Sequence, residues 1–281
     1  MVVDAHLHVW DVGRHRYEWL QRPENSAINR TFGFADFAVR AAAAGVDAAV
    51  LVQADDHDAD TAAMFEIARA HPRIAGVVGW VPLDRPEEAA ARLDRLFREP
   101  KFAGIRTLIH DQPDPDWLLR PDVGAGLALL EQCGVPFDVI AVLPRHLAHL
   151  PVLSERYPGL RMVLDHLGHP PLGARREDWE PWRTLLRAAA ANPLVHAKVS
   201  GLYPERADWT AADIRPFVEF AVELFGPGRL MAGSDWPVAE LSGGYARVWA
   251  AIAEILGELP TAERDAIMGG TARAYYGLGG E

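Results

Sequence analysis

Val2-Val3-Asp4-Ala5-His6-Leu7-His8 opens the chain as an apolar, β-branched run that ends in two histidines two residues apart. Side chains alternate along a strand, so His6 and His8 share one face. Two downstream stretches have the same form. Residues 161–166 end in Asp165-His166, and residues 229–235 end in Gly233-Ser234-Asp235. If the chain forms a closed parallel barrel, these strand ends meet at one mouth. Three histidines and a carboxylate gathered there predict a hydrolytic site, with or without a metal.

Working outward, residues 47–53, 74–80, 102–108, 137–142 and 194–200 also read as strands, which makes eight in all. Amphipathic, alanine-rich stretches lie between them at 35–44, 59–71, 86–98, 124–133, 144–157, 179–191, 210–225 and 245–256, and a last helix is expected over 261–276. Strands alternating with helices imply parallel pairing through right-handed crossovers. Eight such units favour a single (β/α)8 TIM barrel over an open sheet. Asp84 before Pro86-Glu87-Glu88 reads as a helix N-cap. No linker, low-complexity tract or internal repeat interrupts the pattern, so one domain is expected over 1–281. The longest irregular stretch, 10–34, follows the first strand and belongs to the mouth of a barrel. It is expected to act as a substrate lid, with Tyr17 or Trp19 against the substrate.

The chain has 281 residues, of which 49% are hydrophobic and 24% charged, as in a soluble globular protein. Its formal net charge of −11 repels nucleic acid and anionic membranes, so neither is expected as a partner. The one cysteine, Cys133, excludes an internal disulfide and a cysteine-rich zinc site, and it is expected to be a small buried side chain. The N-terminus lacks a basic segment followed by an apolar one, and no apolar run approaches about 20 residues. A cytoplasmic protein is the expectation.

Reading each strand end gives the candidate residues. His6, His8, His166 and Asp235 form a plausible shell for one divalent ion, for which imidazole and carboxylate suit zinc. The same four also work without metal, with the carboxylate as general base and the imidazoles steadying an oxyanion. A lone His-x-His carries little weight; the strand-end His166 and Asp235 strengthen it. Lys198 lies in an apolar strand, and a buried lysine is costly unless paired or functional. Arg106 and Gln53 end the fourth and second strands. These three are expected to orient substrate, a structural ion pair being the alternative for Arg106. Trp236 follows the base directly and is either an aromatic wall for substrate or a packing residue. His196 is expected lower in the barrel, and His57, His110 and His169 in loops at the mouth.

In order, Val3-Asp4-Ala5-His6-Leu7-His8, Val50-Leu51-Val52-Gln53, Gly104-Ile105-Arg106, Asp165-His166-Leu167-Gly168-His169-Pro170, Lys198-Val199-Ser200-Gly201-Leu202 and Gly233-Ser234-Asp235-Trp236-Pro237-Val238 resemble the amidohydrolase-related branch of the amidohydrolase superfamily. The resemblance is to its lactonase group, which holds sugar-lactone hydrolases and 2-pyrone-4,6-dicarboxylate lactonase. It implies a (β/α)8 barrel and hydrolysis of a small-molecule lactone. It also implies that Asp235 activates water and that His6, His8 and His166 surround the carbonyl or bind an ion. Members of the group often work without metal, while others in the superfamily need one or two.

Two departures from the superfamily pattern stand out. Arg106 occupies the place of a bridging lysine or glutamate, and the fifth strand, Phe137-Asp138-Val139-Ile140, carries no histidine, so a two-metal site is not expected. His169 stands where relatives commonly have lysine, and a titratable imidazole there would alter specificity or pH dependence. A sugar 1,4- or 1,5-lactone is the favoured substrate. A pyrone dicarboxylate is the alternative, since Arg14, Arg16, Arg106 and Lys198 could meet its charges. The rivals are a metal-dependent decarboxylase, which usually needs the missing histidine, and a barrel that binds a small ligand without turnover.

Overall fold

A computed structural model describes residues 1–204 and 206–279 of the chain. Eight strands pair in parallel in chain order: β1 (Val3–Leu7), β2 (Ala48–Val52), β3 (Ile74–Gly79), β4 (Phe102–Thr107), β5 (Phe137–Val139), β6 (Met162–Leu164), β7 (Val195–Val199) and β8 (Leu230–Ala232). The ring closes just beyond β8. There the Asp235 N–H donates to the His6 carbonyl at 2.9 Å and the His8 N–H to the Trp236 carbonyl at 2.7 Å. The expected (β/α)8 barrel is therefore the fold.

The helices α1 (Phe34–Ala43), α2 (Asp58–Ala70), α3 (Pro86–Leu96), α4 (Pro121–Gln132), α5 (Pro144–Arg156), α6 (Glu180–Ala190), α7 (Ala211–Phe225) and α8 (Gly244–Leu256) cover the barrel. On β7, Val195, Ala197 and Val199 pack outward into the layer between sheet and helices. A separate apolar cluster brings Val3, Ala5, Val50, Val52, Val78 and Met231 together with Tyr275 and Tyr276 from the end of the chain. The register of β1 shifts between Asp4 and Leu7.

Four expectations need correction. The strands expected over 137–142, 161–166 and 229–235 stop at Val139, Leu164 and Ala232, because the chain leaves the sheet to turn over the mouth. The apolar Ile140 and Val142 beyond β5 line a cavity rather than continue the ladder. The cap of α3 is Arg85, with no side-chain hydrogen bond, so Asp84 lies one position too early. The helix expected over 261–276 is broken into α9 (Thr261–Asp265), a π turn (Ala266–Gly270) and α10 (Thr271–Tyr276). The break lets Gly269 pass close under β1, where a Cβ would lie 2.4 Å from the Met1 carbonyl oxygen. Cys133 caps α4 and is exposed rather than buried. No helix among the described residues is long and apolar enough to cross a membrane.

Candidate active site

His6 and His8 project from the end of β1, His166 follows β6, and Asp235 follows β8. All four are buried, and they meet at one mouth of the barrel. Asp235 Oδ1 lies 3.3 Å from His8 Nε2, 3.6 Å from His6 Nε2 and 3.9 Å from His166 Nε2. The two Nε2 atoms of His6 and His8 are 3.2 Å apart. His8 Nδ1 lies 2.8 Å from the Val52 carbonyl oxygen. A carbonyl only accepts, so Nδ1 carries a proton and Nε2 is the ring nitrogen that faces Asp235. His166 Nδ1 meets Ser200 Oγ at 2.9 Å.

A column of charge stands behind His6. Lys198 Nζ contacts His6 Nδ1 at 3.2 Å, Asp165 Oδ1 at 3.1 Å and Asp138 Oδ2 at 2.6 Å. The Tyr276 hydroxyl lies 2.9 Å from both Asp138 oxygens. Arg106 reaches across with Nη1 to Asp165 Oδ2 at 3.1 Å and Nη2 to the Gln53 carbonyl at 2.6 Å. Burial pushes the Asp138 carboxyl up to about 6, against the pull of Lys198. Burial also opposes ionisation of Asp165, but Lys198, His6 and Arg106 outweigh it and hold it well below the usual carboxylate range. Burial drives His6 well below its ordinary value, so its ring is neutral. Asp235 resists burial in the same way, and the three imidazoles around it keep it below the ordinary range. The carboxylate is therefore ionised near neutral pH.

Not every expected substrate residue faces the cavity above this cluster. The cavity has a volume of about 1320 Å³, and His8, Trp19, Arg106, His166, His169 and Asp235 all contribute to its wall. Tyr17 does not: it is buried in the β1–α1 loop, where its hydroxyl donates to Asp60 at 2.8 Å. Trp236 packs outside the mouth against Phe32, with ring centroids 5.3 Å apart, and donates to Glu240 at 2.7 Å. Gln53 is fully buried and spends its amide on Asp56 and the Arg106 carbonyl. Lys198 is fully buried beneath His6. These four are corrected from substrate contacts to supports, because strand alternation fixes a side chain's face but not its depth. His169 lines the cavity, yet burial pushes its ring down to about 3, so it stays uncharged near neutrality rather than titrating.

The sequence reading missed Tyr203, whose hydroxyl donates to Asp235 Oδ2 at 2.5 Å. It lies in the loop beyond β7, three residues after Ser200, where no periodicity marks a partner. His110 also lines the cavity, and its buried Nδ1 has no hydrogen-bond partner among the described residues.

The donor set fits one zinc ion. Ligands about 2.0–2.1 Å from a tetrahedral zinc stand roughly 3.3–3.4 Å from each other. The separations of 3.2, 3.3 and 3.6 Å among His6, His8 and Asp235 match that spacing. His6 and His8 are each steadied at Nδ1, by Asp165 at 3.2 Å and by the Val52 carbonyl at 2.8 Å, as ligating histidines usually are.

The model of a family described as amidohydrolase matches residues 3–278. An L-fucono-1,5-lactonase from Burkholderia ambifaria is 36% identical over 244 residues, covering 86% of this chain and 82% of the relative. Another, from Burkholderia multivorans, is 35% identical over 289 residues, covering 98% and 96%. A solved amidohydrolase from Burkholderia multivorans with bound zinc superposes with a TM-score of 0.89 at 33% identity, over 99% of both chains.

Proposed function

The chain belongs to the amidohydrolase family, and from that premise we propose that it hydrolyses a sugar lactone of the L-fucono-1,5-lactone kind. The carrying observation is the ionised Asp235 carboxylate set against three imidazoles on the wall of an open cavity.

Water bound beside Asp235 gives a proton to the carboxylate as its oxygen attacks the ring carbonyl. The negative charge moves to the carbonyl oxygen, where imidazole N–H groups and the Arg106 guanidinium supply positive potential. The tetrahedral centre then expels the ring oxygen. That oxygen takes the proton back from Asp235, leaving an open-chain hydroxy acid. His6, His8 and Asp235, with His166 beside them, would hold one divalent ion; such an ion polarises a carbonyl and lowers the pKa of bound water.

Charge at the cavity supports a neutral substrate over a pyrone dicarboxylate. Arg22 is paired with Asp111 at 2.9 Å, Arg206 with Asp208 at 3.3 Å and Arg106 with Asp165 at 3.1 Å. A dianion would have to break those pairs. Ring hydroxyls, by contrast, need only the neutral donors and acceptors that His110 and His169 present, with Trp19 as an apolar wall.

The test is acid release from a panel of sugar lactones and a pyrone dicarboxylate, followed with a pH indicator, with and without chelator. Turnover of a sugar lactone is expected. Asp235→Asn should fold normally and lose roughly 100-fold or more of kcat, the usual worth of a general base. Full activity in that variant, or no sugar lactone consumed by the wild type with zinc supplied, overturns the reading.

A further inference from the structure

Asp235 has two carboxylate oxygens with different surroundings. Oδ1 faces the three imidazoles. Oδ2 accepts from the Tyr203 phenol at 2.5 Å, and Tyr203 also lines the cavity. The Asp235 backbone is fixed separately, by its N–H to the His6 carbonyl at 2.9 Å and by a left-handed φ of 55°. Rotation of the carboxylate about its last bond is the freedom that remains, and that torsion is broad for aspartate. The phenol closes it. We propose that Tyr203 is a positioning residue that locks the Asp235 carboxylate with Oδ1 toward the imidazoles, so that one defined oxygen receives the proton from water.

This rests on Asp235 being the base of the proposed lactonase. The phenol takes no proton in the reaction; it keeps its own while Oδ1 gains one and returns it. Ser200-Gly201-Leu202-Tyr203 carries it there directly from β7. At Gly201 a Cβ would lie 2.5 Å from His166 Nδ1, so the same short segment packs on one imidazole and reaches past it to the carboxylate.

Tyr203→Phe removes one oxygen and keeps the ring in the cavity wall. Misplacing a catalytic group slows the chemistry rather than ground-state binding. On the sugar lactone that the wild type consumes, kcat should fall roughly 10- to 100-fold, with KM within about threefold. In an Asp235→Asn background the same change should cost nothing further, since there is no base left to aim. An unchanged kcat, a raised KM alone, or an additive loss in the double variant overturns the proposal. If the wild type turns over no lactone, the functional reading fails on its own. The positioning claim is then read from crystals of both proteins. It predicts one carboxylate rotamer in the wild type and a rotated or split carboxylate in Tyr203→Phe; the same single rotamer in both sinks it.

Discussion

His166, Leu167, His169 and Asp235 are the non-glycine residues with positive φ among the described residues, at 55°, 50°, 53° and 55°. A left-handed conformation costs an L-residue about 1–2 kcal/mol, and such strain gathers where function requires it. Three of the four are cavity residues, so the barrel's packing holds the site in shape. Gly201 enters the same account. It has φ +59°, and an added Cβ would meet His166 Nδ1 at 2.5 Å. Gly201→Ala should therefore displace His166, lowering kcat roughly tenfold and the melting temperature by a few degrees, about 1–2 kcal/mol in stability. A variant with wild-type turnover would show that His166 need not sit where it does. At this scale His6, His8, His166 and Asp235 were legible because each ends an apolar run. Tyr203 was not, because a loop residue's partner depends on how the chain bends after the strand. Tyr17, Gln53, Lys198 and Trp236 were given the right neighbourhood and the wrong contacts, since the pattern carries no measure of depth.

The stretch between β1 and α1 was expected to work as a lid, yet it is sewn to the loop after β2 and to the first turn of α2. Tyr17 donates to Asp60 at 2.8 Å, His15 meets Asp55 at 2.6 Å, and the Trp19 indole donates to the Ala54 carbonyl at 2.8 Å. Burial outweighs the hydrogen bonds that Asp60 accepts and raises its carboxyl from an ordinary 3.8 to about 6. Folded protein thus holds this proton at pH values where the unfolded chain has lost it. The group's contribution to stability is complete below about pH 4, falls as pH rises toward about 6, and is flat above. Asp60→Asn has no proton to lose, so its stability relative to wild type should rise between about pH 4 and pH 7. The gain is on the order of 3 kcal/mol at most. Thermal melts of both proteins across that range check it, and a constant difference would refute it. Strand and helix order was fully legible from apolar periodicity. The π turn in the last helix was not, because it answers to the Met1 backbone rather than to anything in 261–276.

Across the whole molecule, the last helix and the first strand are joined by buried charge. Tyr276, Asp138, Lys198, Asp165 and His6 form one connected set from the end of the chain to the active site. Lys198 holds it together, with both carboxylate partners fully buried. Removing one member of a buried ion pair costs about 3–5 kcal/mol because the other charge is left without a partner. Lys198→Met should therefore lower the melting temperature by roughly 10 °C. Calorimetry would show it, and an unshifted transition would mean that the carboxylates are neutral. Closure of the ring sets a further condition, since Asp4 accepts from the Ser234 N–H across 230 positions of sequence. A ribosome adding about 5–20 residues per second needs roughly 10–50 s to cover that distance. Throughout that interval the opening histidines have β2 beside them but neither Asp235 nor the strand that closes the ring. A chain stalled short of Asp235 has the imidazoles without the carboxylate that stands among them, so any activity that needs the whole cluster would begin only when translation is nearly finished.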